Sequence, residues 1–207
     1  MNLIQKAVKE LLNILEECGI AESPVILIPD YDLPKCGYEY GVSIKAIFGG
    51  RSAVFVSNET INVTTKASFM THAPLKKDGQ KEAAGGIINA AMGFLCKTRR
   101  LHACKKEEHI SCRKTLNNLI SGKRIFCLGE MADIRHMAGV MLTDDPKVAD
   151  YILISGDGLV SDILPDIDSY PHDKIICIGP STAGTAALLH YEHFCPFGRA
   201  NLQTIEE

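Results

Sequence analysis

The chain has 207 residues, 46% apolar and 23% charged, with a formal net charge of −3. That length can bury a real core in one domain or two small ones. The charge provides no field that would select nucleic acid or an anionic membrane, and no apolar run is long enough to span a bilayer.

The spacing of Ile4, Val8, Leu11, Leu12 and Leu15 among Lys6, Lys9 and Glu10 predicts an amphipathic helix over 2–18, closed by Gly19. It does not read as a signal peptide. The expected setting is therefore cytoplasmic, with Cys18, Cys36, Cys96, Cys104, Cys112, Cys127, Cys177 and Cys195 reduced. Strands are expected over 24–28, 40–48 and 52–57, with a fourth short one over 60–64. Gly49-Gly50 would turn the second into the third as a hairpin. Residues 65–82 lack apolar periodicity and read as a long loop, a candidate lid. A helix over Glu82–Cys96 carries the small residues Ala83, Ala84, Gly85, Gly86, Ala90, Ala91 and Gly93, which suits close backbone packing.

Residues 97–121 are charged and read as a linker. From Lys123 strands over 123–128, 139–143, 150–155 and 174–178 alternate with helices near 130–137, 158–165 and 182–191. Short apolar runs ending in Gly, Ser or Thr suit strands buried on both faces, and the alternation implies a parallel sheet with right-handed crossovers. The expected class is α/β: a small α+β N-terminal domain over 1–100, a linker region over 101–121, and a Rossmann-like parallel-sheet domain over 122–207.

In such a sheet Gly129-Glu130, Thr143-Asp144-Asp145, Ser155-Gly156-Asp157-Gly158 and Gly179-Pro180-Ser181-Thr182 gather at one edge, where open α/β sheets bind ligands. Ser181 or Thr182 would cap the next helix, whose free N–H groups attract an anion. The dinucleotide fingerprint and the phosphate-loop spacing are both absent. No Gly-x-Ser-x-Gly elbow marks a nucleophile.

Two segments carry metal-ligand chemistry. Cys96, His102, Cys104, His109 and Cys112 lie close in sequence, but no Cys-x2-Cys pair occurs and Lys97, Arg99, Arg100, Lys105 and Lys106 crowd them. His190, His193 and Cys195 form a second set. The two histidines share a face if the preceding helix continues, and the mixed donors suit Zn, Ni, Co or Fe.

Ile88-Asn89-Ala90, Gly122-Lys123, Gly129, Ala149-Asp150-Tyr151 and Gly179-Pro180-Ser181-Thr182 occur in the same order in a known family. In these marks the chain resembles the bacterial and archaeal domain family of unknown function that is labelled for heavy-metal chelation. The resemblance covers about the C-terminal half of the chain. It implies an N-terminal domain like the small α+β domain of enolases, a Rossmann-like C-terminal domain, a cleft between them, and metal chelation. It also brings Asn89 into the candidate site.

The leading expectation is a small-ligand-binding protein with an anionic or metal-bearing ligand in that cleft. The candidate ligand-binding residues are Asn89, Gly129, Asp144, Ser155, Gly156, Asp157, Gly158, Gly179, Pro180, Ser181 and Thr182. The candidate metal ligands are His190, His193 and Cys195, which would take a transition metal. One alternative is an enzyme acting on a nucleotide-like or pterin-like molecule, with Asp157 or Asp144 as acid/base. Another is a scaffold protein using the basic 97–114 segment. RNA binding is disfavoured by the lack of aromatics near those cations, and a homodimer is the default oligomer.

Overall fold

The computed structural model describes residues 1–164 and 166–200. Helix α1, Leu3–Glu17, begins where the Asn2 side chain accepts the Gln5 N–H and the Gln5 side chain accepts that of Asn2. Its apolar stripe is buried, with Ile4, Ala7, Leu11 and Leu15 at 0% exposure.

Strands β1 (Pro24–Pro29), β2 (Val42–Phe48), β3 (Arg51–Ser57) and β4 (Val63–Lys66) form an antiparallel sheet in the order β3-β2-β1-β4. Gly49 and Gly50 both take positive φ, 54° and 77°, and turn β2 directly into β3, with Phe48 opposite Arg51. The segment expected as a loop over 65–82 is partly helical. Helix α2 covers Phe69–His72, and helix α3, Asp78–Phe94, starts a turn earlier than the small-residue pattern indicates. Asp78 suits the positive end of α3. Lys81, in its first turn, is buried by bonds to Asp78, to the Val160 carbonyl at 3.0 Å and to Asp162 at 2.8 Å.

Residues 81–93 of α3 are all buried. The helix is enclosed by the antiparallel sheet on one side and by α1 and the helices of the second sheet on the other. A helix covered all round shows no polar stripe, and small residues let its neighbours approach. A Cβ on Gly85 would fall 2.4 Å from the Phe55 ring.

The second half begins with helix α4, His109–Ile120. Strands β5 (Arg124–Leu128), β6 (Met141–Leu142), β7 (Tyr151–Ile154), β8 (Ile175–Ile178) and β9 (Glu192–Phe194) form a sheet in the order β6-β5-β7-β8-β9. Every pairing in it is parallel. Helices α5 (Gly156–Val160) and α6 (Ala183–Leu189) cover one face towards α1 and α3. The fold is thus α/β with one antiparallel and one parallel sheet, and a continuous apolar core runs from α1 through α3 to the parallel sheet. Helix α4 lies on the opposite face, where Cys112, Leu116 and Ile120 pack with Ile125, Leu153 and Ile176. The charged segment before β5 therefore supplies a covering layer of the sheet.

The last helix stops short of the expected 182–191. His190 adopts a left-handed φ of 57°, and the chain returns as β9, with His193 opposite Cys177. Pairing with β8 outweighs local helix preference here. No helix among the described residues is long and apolar enough to cross a membrane.

Candidate functional site

The parallel sheet changes direction between β5 and β7. From β5 the chain steps to β6 on one side and then returns to β7 on the other. Ligands of open α/β sheets sit at such a switch, beyond the carboxyl ends of the strands. Here the protein's own groups fill that position. The Asp157 carboxylate accepts the Glu130 N–H at 2.6 Å and the Ser155 hydroxyl. Gly129 (φ 102°) has no room for a side chain, since a Cβ would fall 2.1 Å from Ser155 Oγ and 2.6 Å from Asp157 Oδ1. A Cβ on Gly158 would fall 2.0 Å from the Leu128 carbonyl oxygen. Ser155, Gly156, Asp157, Gly158 and Gly129 are thus brought together as a closed turn.

The next pair of strand ends holds a residue that no motif indicates. Glu39, from the 30–41 connection between β1 and β2, is buried against the turn after β8. Its Oε1 accepts the Ser181 N–H at 3.1 Å, while Oε2 is buried without a hydrogen-bond partner among the described residues. Glycines make the space: a Cβ on Gly179 would fall 2.8 Å from Glu39 Oε1 and 3.3 Å from Cys36 Sγ, and one on Gly156 would fall 3.6 Å from Oε1. Burial pushes the Glu39 carboxyl up to about 8, the Ser181 bonds oppose this, and Asp157 adds to it. The acid is therefore mostly neutral at pH 7. The Ser181 N–H, where an external anion is expected, is taken up instead by this mostly uncharged carboxyl. The Ser181 hydroxyl accepts the Val56 N–H, and Thr182 Oγ1 donates to the Gly179 carbonyl.

Beside Glu39 lies a cavity of about 350 Å³ lined by Cys36, Tyr38, Cys104, His109, Cys112, Arg113 and Asp133, with Gly37 and Ile110. Helix α4 delivers its C-terminal end to the start of β5, so His109, Cys112 and Arg113, in its first turns, stand at the strands' carboxyl ends. Asp133, in the 3-10 turn 132–136 after β5, stands there too. Cys36, Tyr38, Cys104 and Cys112 are all buried. The Tyr38 hydroxyl, near the Cys112 thiol, and His109 Nε2 have no hydrogen-bond partner among the described residues. Arg113 pairs with Asp133 at the half-exposed rim.

Burial dominates the protonation of the thiols. It raises Cys36 well above the usual thiol range, reinforced by Glu39; it raises Cys104, and lifts Cys112 to about 11, reinforced by Cys104. It also raises the Tyr38 phenol. At neutral pH these groups keep their protons and can act as hydrogen-bond donors.

Several sequence candidates stand apart from this cavity. Asp144 is exposed in the turn after β6. Asn89 is fully buried in α3: its Nδ2 faces the carbonyls of Val54, Pro180 and Ser181 at 2.9–3.0 Å, and its Oδ1 accepts the Gly184 N–H at 2.7 Å. Its amide joins the antiparallel sheet to the turn after β8. The expectation that His190 and His193 share a helix face is corrected. The helix ends at Leu189, His190 is exposed in its left-handed turn, and His193 on β9 has Nε2 2.9 Å from the Gly179 carbonyl. Burial lowers His193 and lifts Cys195 to about 12, reinforced by Glu39, Cys104 and Cys112, so that Cys195 alone of this set lies near the cavity's thiols although it does not line the cavity.

The five-residue Cys/His segment is divided. Cys104, His109 and Cys112 reach the cavity, whereas Cys96 is exposed at the end of α3. His102 is buried, with Nε2 2.9 Å from the Ser52 carbonyl. Among the described residues no group of three or more His, Cys, Asp or Glu side chains is gathered so that it could hold a metal ion. The candidate lid packs elsewhere: Gln5 of α1 donates to the Leu75 carbonyl.

Glu39, Cys36 and Tyr38 were missed because nothing local distinguishes Cys36-Gly-Tyr-Glu-Tyr-Gly41 from a surface connection. The only signal is an acid flanked by two tyrosines and two glycines. The chain matches no protein-family model and no curated protein. Among solved structures it is similar to a protein of unknown function from the DUF364 family of Pyrococcus horikoshii, with 15% identity, a TM-score of 0.47, and coverage of 86% of this chain and 79% of that one.

Proposed function

We propose that the chain is a small-ligand-binding protein whose ligand occupies the cavity at the carboxyl ends of the parallel strands. One observation carries the reading: Cys36 and Tyr38 from one segment and Cys104, His109 and Cys112 from another line a single cavity of about 350 Å³, with buried unpartnered polar atoms on two of them. That size suits a small organic molecule, and natural pockets combine apolar walls with a few placed polar groups. The glycine turns Ser155–Gly158 and Gly179–Thr182 would serve this site indirectly, as the cradle for Glu39 next to Cys36.

Heavy-metal handling is the second reading, favoured by the thiols. Cys36, Cys104, Cys112 and the His109 imidazole form a soft donor set. The chemistry fits a soft metal, but no coordination sphere is gathered among the described residues. A bare ion would have to draw the sulfurs inwards and displace their protons. A metal already carried by an organic ligand would make a smaller demand and would use the cavity volume.

Elemental analysis of anaerobically purified protein, with Cd(II) titration followed by sulfur-to-metal absorption, tests this on wild type and on Cys36→Ser/Cys104→Ser/Cys112→Ser. Near-stoichiometric metal that is lost in the variant supports metal handling at this cavity. Failure of reduced wild type to take up Cd(II) removes metal handling and leaves an organic ligand.

A further inference from the structure

The polar lining of the cavity is almost entirely of one kind. The Tyr38 hydroxyl, the Cys36, Cys104 and Cys112 thiols and the Arg113 guanidinium all offer hydrogens, and His109 Nε2 can offer one in the appropriate tautomer or as imidazolium. The only carboxylate in the lining among the described residues, Asp133, is paired with Arg113. The walls between these groups are apolar or sulfur-bearing.

Two of the donors are unpartnered and buried at their polar atoms, and Tyr38 as a whole is only 4% exposed. A buried polar atom without a partner costs about 1–3 kcal/mol, and native proteins keep few of them without use. Arg113 stands at the rim, where its side chain is 54% exposed. It is free to exchange Asp133 for another oxyanion, and a guanidinium matches a planar carboxylate through two parallel hydrogen bonds. A cationic ligand would find no free carboxylate in this lining and several donors pointing at its own hydrogens.

We infer that the ligand of this cavity is a small carboxylic acid with an apolar body, its carboxylate held by Arg113, the Tyr38 hydroxyl and His109 Nε2, and its body lying against the Cys104 and Cys112 thiols. This rests on the reading of the cavity as a ligand site and names the ligand's class. Glu39 lies behind Cys36 and takes no direct part. The lowered acidities of Cys36, Cys104, Cys112 and Tyr38 agree with it, because donors that keep their protons remain complementary to an anion.

The test uses the whole reduced chain and probes of matched shape: benzoate, benzamide, benzylamine and inorganic phosphate. Binding is followed by ligand-detected NMR and by protection of Cys104 and Cys112 from N-ethylmaleimide, read by peptide mass spectrometry. Benzoate is expected to bind and protect, with benzamide and benzylamine at least about tenfold weaker. Phosphate, lacking the apolar body, is expected to bind more weakly than benzoate. Arg113→Gln, at an exposed site, and Tyr38→Phe are each expected to weaken benzoate about tenfold.

Equal or better protection by benzylamine or benzamide overturns the carboxylate assignment while leaving the cavity a ligand site. Unchanged benzoate affinity in both Arg113→Gln and Tyr38→Phe also overturns it. If no probe of any charge binds or protects either thiol, the assignment and the ligand-site reading both fall.

Discussion

Glu39→Gln isolates the energetic consequence of a buried acid with one bare oxygen. In the unfolded chain Glu39 titrates near 4.5, whereas burial raises it to about 8 in the fold. The unfolded state therefore gives up its proton first. The full stabilising contribution is present below about pH 4.5 and is lost as pH rises towards about 8. At about 1.4 kcal/mol per decade the ceiling is about 5 kcal/mol, of which roughly half disappears between pH 5 and pH 7. The amide in Glu39→Gln would keep the shape and can still accept the Ser181 N–H, but it cannot ionise. The buried histidines His102 and His193, whose lowered values make stability rise with pH, are common to both proteins and cancel in the difference. Urea unfolding at pH 5, 6, 7 and 8 measures it. Similar stability at pH 5 is expected, with the variant gaining about 2–3 kcal/mol over wild type by pH 7. A difference that stays constant across this range would refute the reasoning, since Glu39 would then ionise in the fold as readily as in the unfolded chain.

Asn89→Ala should destabilise by about 3–5 kcal/mol, because it strands the Gly184 N–H and the Val54, Pro180 and Ser181 carbonyls in the core. A loss under about 1 kcal/mol in chemical denaturation would mean that water replaces the amide. His190→Gly should stabilise the chain by about 0.5–1 kcal/mol, since glycine takes the left-handed conformation without strain. A fall in melting temperature would contradict the left-handed turn. With Ellman's reagent at pH 8, Cys18 and Cys96 should react first because they are exposed, and Cys177, at 0% exposure, should react last. Rapid reaction of Cys177 would place β8 outside the core.

Much of the fold was legible in the sequence because its signals are local. The stripe of Ile4, Val8, Leu11 and Leu15 marked α1, Gly49-Gly50 marked the hairpin, and the apolar runs ending at Leu128, Ile154 and Ile178 marked three parallel strands. The glycine turns behind those strands were also legible, as was their gathering at one edge. Their occupants were not. Whether Ser181 N–H meets a foreign anion or Glu39, or whether Asp157 faces a ligand or caps Glu130 N–H, depends on where a remote segment is packed. His190 and His193 were misplaced because helical spacing is a local property, whereas β9 exists through pairing with β8.

The sequence by itself therefore determined α1, the β2–β3 hairpin, the three central parallel strands and the gathering of their glycine turns at one edge, but not α4 or β9, since periodicity and turn chemistry act over a few residues. Only the tertiary structure decided what stands at that edge. It brought Cys36 and Tyr38 to Cys104, His109 and Cys112, and buried Glu39 at Gly179. The physical reason is that burial, a missing hydrogen-bond partner and a lowered acidity belong to the surroundings of a side chain, and those surroundings are assembled from segments far apart in the chain.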